Sequence, residues 1–278
     1  MTILVTGATG NVGRNVVEML LAEGASVRAT SRSPERAGLP EGVDVRAADL
    51  ARPETLAEAL SEVDNVYLFP EPDAVGGFVE LAEAAGVRRV VVLSSLSAKE
   101  SDADQDVIGR RHVLVERAVE ASTMDWTFVR PGAFAANTLQ WAHSIRAEGV
   151  VRAPYADAQV APVHEKDIAA VAVRALLDDG HAGKAYELTG PESITQRRQV
   201  ELIAQAIGRP VRFEEQTPEQ ARELMSRWAP SGVIDSLLGY LGDSVGKTAE
   251  IFDITEKITG KPARTFAGWA AEHARDFG

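Results

Sequence analysis

The chain has 278 residues, 45% of them hydrophobic and 25% charged, the balance of a globular protein with room for one large fold or a large domain and a small one. A formal net charge of −12 without any Lys/Arg run argues against nucleic-acid phosphates as partners, and the absence of cysteine excludes disulfides and Cys-ligated zinc. No apolar run approaches the ~20 residues that span a bilayer, and residues 1–5 enter a strand without a basic leader, so a cytoplasmic protein with no membrane partner is expected.

Strand-length apolar runs alternate with helical patterns. Strands are predicted over residues 3–6, 26–30, 43–47, 65–69, 89–93 and 126–130, with helices over 11–22, 53–61, 73–85 and 106–121 between them. Val-rich strands without polar alternation suit a parallel sheet covered on both faces. After residue 149 the rhythm changes: helices are predicted over 166–177 and 195–207, short strands over 185–188 and 211–214, and mostly helix to residue 277. The fold class expected is α/β, a Rossmann-type doubly wound parallel sheet with a small mixed, mostly helical C-terminal substrate domain. The division is 1–150 for cofactor binding, with a strand near 184–189 returning to it, and 151–278 for a substrate or partner.

The first strand runs into Gly7-Ala8-Thr9-Gly10-Asn11-Val12-Gly13, which opens the first helix. Gly7 permits a tight turn, Gly10 lets a pyrophosphate approach the backbone, and Gly13 permits close helix packing; Thr9, Asn11 and Val12 complete the loop. The free N–H groups of the helix start then face the phosphates. NAD binders place an acid ~20 residues past this loop. Here the second strand ends in Thr30-Ser31-Arg32-Ser33 with no acid before Glu35. Arg32 can pair with a 2′-phosphate and stack on adenine, Ser31 can hydrogen-bond the same phosphate, and Arg36 can assist. NADP is therefore the expected cofactor, with NAD as the alternative. Asp49 and Leu50 after the third strand are placed beside the adenine, and Phe69-Pro70 after the fourth beneath the cofactor.

Leu93-Ser94-Ser95, His112 with Glu116, Arg130-Pro131-Gly132 followed by Asn137, His164 through Asp167-Ile168-Ala169, Tyr186-Glu187-Leu188-Thr189-Gly190-Pro191, Thr259-Gly260-Lys261-Pro262 and Phe266-Ala267-Gly268-Trp269 add to the glycine loop. With these residues the chain resembles, over nearly its whole length, the NmrA-like branch of the atypical short-chain dehydrogenases/reductases, and is similar to bacterial NAD(P)H:quinone reductases. The resemblance implies an NADP-binding Rossmann domain and a small C-terminal substrate domain. It also implies two occupations, since some members reduce quinones and others sense redox state through a protein partner.

Ordinary short-chain dehydrogenases use a Ser and a Tyr–Lys pair one helical turn apart. Aligned on the helix before Glu116, the Lys position holds His112 and the Tyr position Ile108, and no Tyr or Lys occurs in residues 101–121. Hydride transfer to a quinone remains open, because a hydroquinone oxygen is far less basic than an alkoxide. His112 is a candidate for binding the nicotinamide ribose or relaying a proton, or else a simple helix-face partner of Glu116. Ser95 is a candidate for hydrogen-bonding the acceptor, or else a turn cap. Ser94, Pro131 and Gly132 are placed at the nicotinamide; Phe134, Asn137 and Trp141 are placed in the acceptor pocket, with plain core as the alternative for the aromatics. His164, Glu165 and Asp167 match no zinc spacing, so no metal is expected; Asp167 reads as a helix cap, and His143, His181 and His273 as surface residues.

Three functions fit: an NADPH-dependent reductase of a quinone or related small aromatic acceptor, a non-catalytic NADP-binding sensor, and a tailoring or accessory enzyme of aromatic polyketide biosynthesis. A homodimer is compatible with each.

Overall fold

A computed structural model describes residues 1–99 and 106–278; residues 101–105 of the stretch lacking Tyr and Lys lie outside the described residues. The chain begins β1 (Thr2–Val5), α1 (Asn11–Ala22), β2 (Ser26–Ser31), β3 (Asp44–Ala47), α2 (Ala57–Leu60), β4 (Asn65–Leu68), α3 (Val75–Ala84), β5 (Arg89–Leu93), α4 (Val107–Glu120) and β6 (Asp125–Pro131). It continues α5 (Ala142–Glu148), β7 (Val150–Ala153), β8 (Gln159–Val160), α6 (Glu165–Leu177), β9 (Lys184–Leu188), β10 (Ile194–Thr195), α7 (Gln196–Ile207) and β11 (Arg212–Glu215). It closes with α8 (Pro218–Met225), α9 (Ser231–Asp243), α10 (Ile254–Thr259), α11 (Phe266–Glu272) and α12 (Ala274–Phe277).

Seven strands form one parallel sheet in the order β3-β2-β1-β4-β5-β6-β9. The order reverses between β1 and β4, which opens a crevice at the carboxyl ends of the strands. Both faces are covered, as Val-rich strands require. On one face Val16, Val17 and Leu20 of α1 and Ile168, Val171 and Ala172 of α6 pack on Ile3, Val5, Val91 and Val129. On the other, Leu60, Phe78, Val115 and Val119 from α2, α3 and α4 pack on Leu4, Val66, Val90 and Phe128. The chain re-enters the sheet late, because β9 pairs with β6 and α6 packs beside α1. The predicted helix over 53–61 is a 3-10 turn, Pro53–Leu56, with Pro53 at its start, followed by the short α2.

The C-terminal part has its own core of Trp141, Ile145, Val200, Ile203, Phe266, Trp269 and Phe277. The short pairs β7–β11 and β8–β10 flank it; no strand is expected from the sequence at β7, β8 or β10, and the last two, at two residues each, are too short to show an alternation. The α8–α9 hairpin is held by a small cluster of Ala221, Ile234 and Leu238. Among the described residues no helix is long and apolar enough to cross a membrane.

Candidate active site

The loop after β1 is tied to the end of β4 by one hydroxyl. Thr6 Oγ1 donates to the Tyr67 carbonyl at 3.0 Å and accepts from the Phe69 N–H at 2.8 Å. This sets Phe69, 44% exposed, against Gly7, where an added Cβ would lie 2.9 Å from the Phe69 Cβ and φ is +60°. Gly13 is tighter still: its Cβ would fall 2.2 Å from the Gly7 carbonyl oxygen. Side chains are thus shut out of a cradle at the start of α1, where Thr9, Gly10 and Asn11 are exposed. The first N–H groups of a helix lack intrahelical acceptors and carry partial positive charge, so the cradle suits a dinucleotide pyrophosphate. The Val12 side chain is core, leaving only its backbone to face a ligand.

Beyond β2, Arg32 is exposed and makes no ion pair among the described residues. Ser31 Oγ accepts from the Ser33 N–H at 3.1 Å, which leaves its proton available. Arg14, which the sequence reading passed over, donates from α1 to the Gly38 and Ala37 carbonyls at 2.7 and 3.1 Å and so anchors the segment following Arg32. Arg36 lies 3.9 Å from Glu35 in solvent. Asp49 accepts from the Ala51 N–H at 3.2 Å and faces Arg52 at 3.6 Å, so it shapes the turn after β3; Leu50 is partly buried against the core on the α2–α3–α4 face of the sheet.

A cleft of about 1220 Å³ lies beyond the ends of β4, β5 and β6 and is roofed by α9 and the segment to Phe252. It brings together Phe69, Pro70, Ser94, Ser95, His112, Pro131, Gly132, Phe134 and Asn137. Trp141 is not among its walls. That expectation is corrected: the indole is buried with Ile145 and Trp269, because the 3-10 turn Ala135–Trp141 rotates it toward the C-terminal core.

Ser94 is 2% exposed and gives its hydroxyl proton to Glu116 Oε1 at 2.5 Å. Glu116 also receives Arg130 Nε and Nη2 at 2.8 and 2.6 Å. The His112–Glu116 helix-face pair is therefore not formed; the carboxylate turns inward to the guanidinium. His112 Nδ1 is buried without a partner among the described residues, and burial lowers the ring's pKa to about 4. That burial keeps the ring neutral near pH 7, so it offers one donor and one acceptor nitrogen rather than a positive charge. Ser95 caps the turn Leu96–Ala98, accepting from the Ser97 N–H at 3.2 Å, while lining the cleft.

Sequence reasoning missed Lys99, whose Nζ lies 2.8 Å from Glu187 Oε2 and 5.5 Å from the Phe252 ring centroid. Its partners stand far away in sequence, and no local pattern joins them.

His164, Glu165, Asp167, His181 and His273 are not among the walls of the cleft. His164, not Asp167, caps α6, its Nδ1 accepting from the Lys166 N–H at 3.1 Å. Asp167 is buried and holds the Arg264 backbone N–H at 2.7 Å as well as its guanidinium. Glu165 accepts from Trp269 Nε1 at 3.1 Å and faces His273 Nε2 at 3.2 Å. His273 is thus a seam residue rather than a surface one, and His181 is half-buried at 2.7 Å from the Tyr186 hydroxyl.

A family described as NAD(P)H-binding matches residues 7–179. A (4-alkanoyl-5-oxo-2,5-dihydrofuran-3-yl)methyl phosphate reductase of Streptomyces griseus is 44% identical, with 99% of each chain covered. An NAD(P)H azoreductase of Xenophilus azovorans is 36% identical, again over 99% of each chain. An NADPH-dependent quinone oxidoreductase of Escherichia coli, solved with NADPH, superposes with a TM-score of 0.81 at 27% identity, covering 97% of this chain and 99% of that one. With a glycine cradle, a reversed strand order and a cleft at the carboxyl edge of the sheet, the chain belongs to the NAD(P)H-binding family.

Proposed function

We propose that this NAD(P)H-dependent oxidoreductase reduces a quinone or a related conjugated small acceptor, with NADPH preferred. The observation that carries this reading is the convergence of the cradle and the cleft: exposed Phe69 belongs to both, packing against Gly7 and lining the cleft. Bound NADPH supplies a hydride from its nicotinamide ring. The chain's own residues hold the phosphates at 7–13, meet the 2′-phosphate with Arg32 and Ser31, and seat the nicotinamide end near Ser94, Pro131 and Gly132. Asn137 and Phe134 contribute to the acceptor side. His112 serves as a neutral donor or acceptor rather than as an acid.

The relatives support this chemistry. A quinone, an azo compound and an acylated butenolide, as named for three of them, are all conjugated electrophiles. Two of those proteins are named reductases and the third an oxidoreductase, which favours turnover over a cofactor-sensing role. The test is NADPH oxidation by the purified protein against simple quinones, polycyclic quinones, azo dyes and acylated butenolides, with NADH in parallel. Acceptor-dependent oxidation, faster with NADPH, is expected. Tight cofactor binding without turnover on any acceptor would overturn the reading, and a preference for polycyclic quinones would point to the polyketide role.

A further inference from the structure

The Tyr–Lys pair of ordinary short-chain dehydrogenases has no counterpart on α4, where Ile108 and His112 line the cleft instead. Neither can offer positive charge near pH 7, since one is aliphatic and the other is held neutral by burial. Reduction of a conjugated acceptor nonetheless places negative charge on an oxygen, and fixed donors aimed at such charge are a large source of rate enhancement.

Lys99 is built for this. It follows the turn Leu96–Ala98 at the end of β5 and reaches to Glu187 on β9, which is in register with Arg130 on the intervening β6. The ammonium therefore sits at the carboxyl edge of three adjacent strands, where ligands of such sheets bind. An ammonium has three N–H donors. Glu187 takes one at 2.8 Å, the Phe252 face lies to one side, and the side chain is 50% exposed where it lines the cleft. The hydrogen bond to Glu187 holds its pKa above the usual lysine value, so it stays charged. The other cations among the described lining residues are less fixed: Arg111 stands 3.7 Å from Glu71, and Lys247 makes no ion pair among the described residues.

We propose that Lys99 is the electrophilic residue of the cleft, its ammonium hydrogen-bonding the acceptor oxygen on which negative charge develops, with Glu187 as its positioning residue. The proposal rests on the reductase reading above. As the cofactor is oxidised, the acceptor gains hydrogen and an electron pair at one end of its conjugated system. A π pair moves onto the far oxygen, and that oxyanion accepts the Lys99 hydrogen bond. Lys99 keeps its proton, and solvent water supplies the one that completes the product.

The test uses 4-nitrophenol as an oxyanion probe, its ionisation followed by absorbance in the presence of the intact protein. The wild type is expected to bind phenolate over phenol and lower the apparent pKa of the bound probe by about one unit, a tenfold preference. Lys99→Met should abolish that shift and Lys99→Arg keep most of it. Glu187→Gln should weaken it less than Lys99→Met does. With NADPH and a neutral quinone, Lys99→Met should lower kcat on the order of 10²-fold, with NADPH affinity unchanged. Equal binding of phenol and phenolate by the wild type, or an unaltered shift in a folded Lys99→Met protein, would overturn the role. A wild type that turns over no acceptor would instead sink the reductase reading, while the phenolate titration still decides Lys99.

Discussion

Glu116 of α4 and Arg130 of β6 form a two-pronged ion pair, Nε to Oε1 at 2.8 Å and Nη2 to Oε2 at 2.6 Å, and the same carboxylate takes the Ser94 hydroxyl proton. Their side chains are 7% and 18% exposed, so three elements meet at a charge pair largely hidden from water. Removing one partner strands the other charge. Glu116→Ala is expected to cost about 3–5 kcal/mol in urea unfolding, and Glu116→Gln less. Loss of under about 1 kcal/mol in Glu116→Ala would mean that the pair behaves as a surface bridge.

Arg32 stands just past the end of β2, exposed and without an ion pair among the described residues. A hydrogen bond to a charged group contributes about 1.5–3 kcal/mol. Arg32→Ala should therefore weaken NADPH binding by roughly 10- to 100-fold and leave NADH nearly unchanged, as read by fluorescence titration. Full retention of the NADPH preference would refute the assignment.

His112 gives a pH dependence of known sign. Burial lowers its pKa from 6.5 to about 4 in the folded chain. Between those values the unfolded chain takes up a proton that the folded chain does not, so stability falls as pH drops from 6.5 toward 4. The whole window is worth about 3 kcal/mol at ~1.4 kcal/mol per pH unit. His112→Gln should flatten this part of the urea-unfolding profile between pH 7 and pH 4.5. Wild-type and variant profiles with the same slope there would show that the ring titrates alike folded and unfolded.

Trp141 separates core from pocket. Trp141→Ala should destabilise the chain by about 3–5 kcal/mol, whereas Trp141→Phe should leave the KM for acceptor unchanged. Asn137→Ala, at the exposed wall of the cleft, should do the reverse: alter acceptor KM and leave the thermal midpoint within about 2 °C. A Trp141→Phe protein with altered acceptor preference would put the indole back in the pocket.

The cradle was legible in the amino-acid sequence because its causes are local. Gly7, Gly10 and Gly13 follow a strand and open a helix, and the contacts that exclude side chains there are mostly made within seven residues. The strands of the sheet were legible too, because two covered faces demand unbroken apolar runs. Arg32 was marked by the missing acid before Glu35. What the sequence by itself could not determine are partnerships across long separations: Glu116 has equal claim on His112 one turn away and on Arg130 in another strand, and only the tertiary structure chooses the guanidinium. Trp141 reads as a pocket residue or, as aromatics at such spacing more often are, as plain core, until the turn that carries it is placed. Lys99 becomes a cleft cation only once β9 returns beside β6 and brings Glu187 within 2.8 Å. Local backbone and helix-start chemistry is written in neighbouring residues, whereas the pairing of buried charges depends on which strands lie side by side.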